Sequence, residues 1–335
     1  MWALRNETPY GAERTWVRDR SGGHLWVVAV RASFDVDVTG VLRLAEQQPP
    51  PLQTAEYFGE PGTSSVRAEA ELGLGKPGTD IIVNASAYAP RGRPAPSVPV
   101  ELRVGALRKV LLVHGERAYL SHGDSLETSA PQPFVSRPIR YEYAFGGTDQ
   151  SAADAREHVS DARNPIGRGV VAPRHRRTNL LAHAIEYPAQ DVRRAGPAGF
   201  GAIDRAWLPR RSYAGTYDAR WERDKKPFLP DDYDDRFSHC APSDQQLRQP
   251  LRGGERVELT HLTPEGKLAF ELPRLRFSFE TAFGARIETH EATLATVHIE
   301  ADEKKLRMTF HTQLAVPNRE CDYLDQTTIR EVAAP

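Results

Sequence analysis

Apolar and polar positions alternate through much of the first 145 residues, the period of strands with one buried face. Residues 25–30 are a continuous apolar run, LWVVAV. The chain then settles into an alternation of Phe34, Val36 and Val38 against Ser33, Asp35 and Asp37. Thr39-Gly40 predicts a turn into Val41–Leu44, hence a hairpin. A strand is predicted at Asp80–Tyr88. Another follows where Val98, Val100, Leu102 and Val104 alternate with Pro99, Glu101 and Arg103. Lys109–Val113, His114-Gly115 and Arg117–Leu120 predict a second hairpin. Ile139, Tyr141, Tyr143 and Phe145 alternate with Arg140, Glu142 and Ala144, again as a strand would.

From Gly146 to Gly254 the period fades. Residues 152–162 predict a short helix, and Ser243 is placed to cap a turn running to Leu247. The strand pattern returns at Arg256. Leu268, Phe270 and Leu272 alternate with their neighbours, as do Leu275, Phe277 and Phe279. Val297 and Ile299, a turn at Ala301–Lys304, and Leu306, Met308 and Phe310 predict a late hairpin. The pattern describes a mainly β protein with little helix: two β-rich parts, sandwich or barrel-like, separated by a loop-rich middle. The divisions fall at residues 1–145, 146–254 and 255–335, the last packed with the first as one body.

Within the middle, Gly215–Gln246 is dense in aromatics: Tyr217, Trp221, Phe228, Tyr233 and Phe237. It also carries Asp218, Asp231, Asp232, Asp234 and Asp235, with Pro227, Pro230 and Pro242 between them. Rings bury a large apolar area that a solvated linker forfeits, so the segment is expected to be ordered. Long irregular segments of this kind are often functional.

Composition narrows the classes. The formal net charge of -1 over 335 residues gives no global attraction to nucleic acid or acidic lipid. Two cysteines, Cys240 and Cys321, make neither a disulfide framework nor a metal spacing, and point to a reducing compartment. The first residues, MWALRNETPYGAERTW, lack the apolar region of a secretory signal. No apolar run reaches membrane-spanning length. The expected location is the cytoplasm, with no membrane and no nucleic acid as partners.

Several motifs invite chemistry and fail on context. Gly73–Gly78 matches G-x-G-x-x-G by letters, but Pro77 and the strand after it replace the helix that a phosphate site needs. The aspartates from Asp231 to Asp235 lack the calcium-loop register. No G-x-S-x-G elbow and no H-E-x-x-H occur. His239 and Cys240 are adjacent, and adjacent side chains of an extended segment point apart. The basic group Arg174-His175-Arg176-Arg177, with Arg193-Arg194 and Arg210-Arg211, is matched by acids nearby in sequence. Neither a catalytic residue, a metal ligand nor a cofactor is assigned.

The order of short blocks carries a resemblance. Lys76-Pro77-Gly78-Thr79-Asp80, Tyr141–Gly147, Asn164–Gly169, Gly199-Phe200-Gly201, Trp207–Arg210 and Gly215–Asp218 are followed by Leu229–Asp234, Arg236-Phe237, Ala241-Pro242, Asp244–Gln246 and Gly253–Glu255. The set resembles a domain-of-unknown-function family encoded beside VgrG spike and PAAR-like proteins in bacterial type VI secretion clusters. The resemblance covers about residues 6–273 and implies a non-enzymatic effector adaptor or chaperone. Its partners would be an effector protein, a PAAR-like protein and the VgrG spike. It supplies no catalytic residues. The partner contacts expected from composition are Trp207, Arg210, Tyr217, Trp221, Phe228, Tyr233, Arg236 and Phe237, each of whose rings or charges serves either the core or a partner. The alternatives are a hydrolase of carbohydrate or peptide, for which acids beside aromatics are the motive, and a structural piece of the secretion machine.

Overall fold

The apolar run at residues 25–30 belongs to a strand covered on both faces. In a computed structural model, which describes residues 2–122, 125–172 and 180–333, His24–Val36 runs through the middle of the molecule with Trp26 to Phe34 buried throughout. Trp26, Val28, Val30, Ala32 and Phe34 face a large apolar core. Val27, Ala29, Arg31 and Ser33 point the other way and are buried too. A strand covered on both sides reads as continuous rather than alternating.

This strand lies in a seven-stranded sheet of order Gln246–Leu247, Thr79–Asn84, Thr293–Glu300, Lys305–Val316, His24–Val36 and Gly11–Arg18, with Leu42–Leu44 added on His24–Val36. Thr79–Asn84 and Thr293–Glu300 are parallel; the pairs on either side of them are antiparallel. A second sheet has five strands in the order Ile185–Glu186, Leu107–His114, Ser97–Val104, Arg256–Thr260 and Lys267–Glu271. A third has four, Ala3–Asn6, Leu324–Glu331, Phe277–Phe283 and Arg286–Glu291. Strands from the beginning and the end of the chain thus pair within each of these sheets. The sheets share one core, to which Val98, Val100, Leu102, Leu259, Phe277 and Phe279 contribute. None of the sheets closes into a barrel among the described residues. No helix among them is long and apolar enough to cross a membrane.

Four local expectations are corrected. Leu107–His114 turns back onto Ser97–Val104 through Gly105-Ala106, with Gly105 at φ 54°, instead of forming a hairpin with residues 117–120. Tyr119–His122 pairs with Ser125–Thr128. The alternation at 139–145 forms a strand only at its end, where Phe145–Gly146 pairs with Arg168–Gly169. Tyr141–Tyr143 is a 3-10 turn, because the Asn164 amide donates to the carbonyls of Tyr141 (2.8 Å) and Phe145 (3.0 Å) that a neighbouring strand would use. Residues 152–162 hold one 3-10 turn, Ala155–Glu157, capped by Asp154, and without an apolar stripe nothing extends it. Ser243 opens the turn Ser243–Gln245 but makes no cap. The segment 215–246 also contains one short α-helix, Ala219–Asp224, capped by Asp218, and a 3-10 turn, Asp235–Ser238, capped by Asp234, and is otherwise irregular.

Two buried polar side chains fasten the loop-rich middle to the sheets. Lys109 occupies a core position and donates to the Gly199 carbonyl (2.7 Å), to Asp244 (2.8 Å) and to the Gln245 side-chain oxygen (2.8 Å). Burial lowers its pKa to about 8, with Asp244 opposing. Gln245, fully buried, donates in turn to the carbonyls of Ile81 (2.7 Å) and Phe200 (2.9 Å). Gln245→Ala strips an acceptor from a buried ammonium and a donor from the Ile81 and Phe200 carbonyls, of which Phe200 keeps the Val83 amide (3.0 Å). Each unsatisfied group costs about 1–3 kcal/mol. Urea denaturation is expected to show a loss of about 3 kcal/mol. A loss below about 1 kcal/mol would mean that the loops are held by other contacts.

Candidate functional site

The outward face of the large sheet is polar and yet buried. Its register sets one row of neighbours across four strands: Asp80 beside Thr296, Thr296 beside Thr309, and Thr309 beside Arg31. The next row holds Ile82, His298, Arg307 and Ser33. A buried charge needs a paired charge. Here the pairs come from the irregular segment 69–76, which crosses the face as a strap.

The strap is matched to the row by charge. Lys76 donates to Asp80 (2.7 Å) and Thr296 (2.8 Å) at one end. At the other, Glu71 accepts from Arg31 (2.8 Å), from the Leu52 amide (2.8 Å) and from the Thr309 hydroxyl. Glu69 binds Arg205 (2.6 Å) and Arg210. Asp80 also accepts from His239 Nδ1 (2.6 Å) and the Cys240 amide (2.8 Å). A groove of about 270 Å³ opens on one side of the strap, between it, the sheet residues Thr296, Thr309 and His311, and the aromatic segment. On the other side, a cavity of about 450 Å³ lies under Pro49–Gln53, against Arg31, His298 and Arg307.

The charges here are committed to one another. Burial opposes ionisation of Asp80, but Lys76 and His239 outweigh it and hold the carboxyl far below the usual range. Burial likewise works against the Lys76 cation, and Asp80 reverses it, so the ammonium titrates above its ordinary range. Glu69 is held low by Arg210 and Arg205 against its burial. The Cys240 thiol lies 3.4 Å from Lys76, yet burial pushes its pKa up to about 12. Such a thiol is inert, which removes the nucleophile suggested by its place beside His239. His298 and His311 are driven by burial to about 4 and are neutral imidazoles.

The aromatic segment divides. Arg210, Tyr217, Tyr233 and Phe237 line the groove. Arg210 is buried, donates to the Phe237 carbonyl (3.0 Å) and lies over the Phe237 ring (5.3 Å). Tyr233 is buried edge-on to Phe237. Tyr217 is 54% exposed and meets Trp221 edge-on at 4.7 Å. Trp221 donates to the Phe228 carbonyl (2.8 Å), and Phe228 packs under Arg18; both stand outside the groove wall. Arg236 stacks on Tyr213 (4.3 Å) and lines a smaller cavity of about 150 Å³ next door. Trp207 is buried in the core, edge-on to Tyr141.

The acids of this segment serve turns and ion pairs. Asp232 accepts from the Thr216 amide and hydroxyl, Asp231 pairs with Lys225, and Asp234 pairs with Arg236. Among the described residues no group of three or more His, Cys, Asp or Glu is placed to hold a metal ion. Arg174-His175-Arg176-Arg177 lies outside the described residues.

Sequence reasoning centred on residues 215–246 and did not find Arg31, Glu69, Glu71, Lys76, Asp80 or the two threonines. A signal existed: Arg31, Asp80 and His298 are polar residues interrupting apolar strand runs. A further network also went unseen. Ser97, His114 and Glu186 form a chain of hydrogen bonds (2.6 and 3.0 Å) on the outer face of the second sheet. Glu186 is bound as well by Arg117 (2.7 Å) and His183 (2.8 Å), which makes it a hub fastening loop 181–187 to the sheet.

A family model described as "Uncharacterized protein conserved in bacteria (DUF2169)" matches residues 21–311. No curated protein matches the chain significantly. No solved structure does either.

The neutral histidines set an acid limit. A His whose pKa falls from about 6.5 in the unfolded chain to about 4 in the fold binds its proton more readily when unfolded. Stability is therefore full above pH 6.5 and declines as pH falls from there to 4, by at most about 3 kcal/mol for each His. The carboxylates of the site lose their contribution only below about pH 4, a separate window. Denaturation midpoints across this range are expected to slope for the wild type and to slope less in His298→Gln and His311→Gln, while His290, which burial also drives to about 4, keeps its share. An unchanged slope in both variants would place the acid sensitivity elsewhere.

Proposed function

The chain belongs to the bacterial family whose model it matches, and from that premise we propose that it is a non-enzymatic adaptor of type VI secretion. It holds an effector, through a PAAR-like or N-terminal region, and helps to seat it on the VgrG spike before firing in the cytoplasm. The order of sequence blocks suggests this role. The observation that carries it is the groove, where Tyr217 stands exposed beside Phe237, Tyr233 and Arg210 on walls already fixed by ion pairs. Aromatic residues and arginine are the commonest anchors of protein interfaces, and a preformed wall loses little entropy on binding. At about 270 Å³ the groove is smaller than the roughly 300–1,000 Å³ of sites that enclose a whole small molecule. It suits side chains of a protein partner.

The chemistry of the site agrees with holding rather than turnover. Lys76, Asp80, Glu69 and Glu71 are each bound to an opposite charge. Proton transfer near neutral pH favours groups whose pKa lies near it, and pairing has moved Lys76, Asp80 and Glu69 away from it against their burial.

Co-expression with the neighbouring effector and PAAR-like protein tests the proposal. The wild type is expected to co-purify with at least one of them. Tyr217→Ala should weaken the complex about tenfold, with thermal stability within about 0.5 kcal/mol of wild type. If the wild type captures neither protein, and its deletion leaves effector levels unchanged, the adaptor reading is wrong.

A further inference from the structure

Nine arginines among the described residues are buried or partly buried, and six hold a carboxylate, as Arg31 holds Glu71. The three others, Arg137, Arg140 and Arg168, have no ion pair among the described residues, and two of them, Arg137 and Arg168, share one ring. Arg137 and Arg168 place their guanidinium carbons 5.1 and 4.9 Å from the centre of the Tyr143 ring. Arg140 stacks over Phe58 at 4.0 Å. The Nε of Arg137 is buried and without an acceptor. Its cation is disfavoured first by burial and then by Arg168; Glu116 opposes through its field, without forming an ion pair.

The backbone holds the group from three sides. Arg137 lies on the strand Ser136–Pro138, paired with Ser86–Tyr88. Tyr143 ends a 3-10 turn, and Arg168 lies on Arg168–Gly169, paired with Phe145–Gly146. Tyr143 and Arg168 come from two of the sequence blocks, and nothing in the groove uses them. A ring under a guanidinium engages its face and leaves the in-plane N–H donors free. Two such cations on one ring repel each other and are short of an anion.

We propose that Arg137 and Arg168, set on Tyr143, receive a carboxylate side chain from an acidic segment of the protein partner. The inference rests on the adaptor reading for the identity of that partner. A planar carboxylate matches the guanidinium fork in bidentate fashion. Val135, 48% exposed and two residues from Arg137, offers an apolar shoulder for the rest of such a segment. The formal net charge of -1 gives no broad positive field for a polyphosphate backbone.

The test is fluorescence anisotropy of a labelled oligo-glutamate peptide titrated with the full chain. The wild type is expected to bind. Arg137→Gln with Arg168→Gln should weaken binding at least about tenfold, two charge-assisted contacts being removed. Arg168→Lys, which keeps the charge and loses the fork, should fall between. The thermal midpoint of the double variant should equal or exceed that of the wild type, because a repulsion is relieved. Oligo-glutamate affinity within twofold of wild type in the double variant would overturn the proposal, as would inorganic phosphate displacing the peptide at lower concentration than unlabelled peptide does. Because the probe is a peptide and not the effector, peptide binding without co-purification contradicts the adaptor reading alone, and co-purification without peptide binding contradicts this inference alone.

Discussion

Asp80 is the charge on which the arrangement depends. It lies fully buried on a strand of the large sheet and accepts three hydrogen bonds from two separate pieces of chain: from Lys76 of the strap, and from His239 and the Cys240 amide of the aromatic segment. A carboxylate in that position without partners would cost several kcal/mol. Its partners therefore cannot leave without a large penalty, and sheet, strap and segment are held to one another. Lys109 does the same from the second sheet, with an ammonium reaching the loops at Gly199 and Gln245.

Polar groups in this setting contribute geometry more than net stability. Apolar replacements of a buried ion pair are often neutral or stabilising, whereas loss of one member is strongly destabilising. The row from Asp80 to Arg31 and the strap from Lys76 to Glu71 are complementary in order, which sets where the strap lies along the sheet. The groove and the cavity on its two sides follow from that register. The aromatic wall is set by Arg210, whose guanidinium is shared between Glu69, the Ile203 carbonyl and the Phe237 carbonyl.

Much of the β scaffold could be read from period alone. The hairpin at Val36–Leu44, the late hairpin at Val297–Phe310 and the strands from Ser97 and Arg256 rest on alternation against a core, a local signal. What failed were places where a side chain from afar overrode the pattern. Tyr141–Phe145 alternates like a strand, but Asn164 takes its carbonyls. The candidate site was legible in part. The aromatic wall at Tyr217, Tyr233 and Phe237 announced itself by composition. The strap and its row did not, because pairing Lys76 with Asp80 and Glu71 with Arg31 requires knowing which strands are neighbours. A charge inside an apolar run, as at Arg31, says that a partner must exist without saying where.

The aromatic segment is a wall fastened to the sheet through His239 and Cys240, and not a loop resting on it. Hydrogen exchange of the free protein, resolved to single amides, reads this directly. The amides of Cys240, bound to Asp80, and of Ile203, bound to the Cys240 carbonyl (2.6 Å), should exchange as slowly as those of Thr79–Asn84. Exchange of these amides at the rate of an unprotected loop, with the sheet still protected, would contradict it.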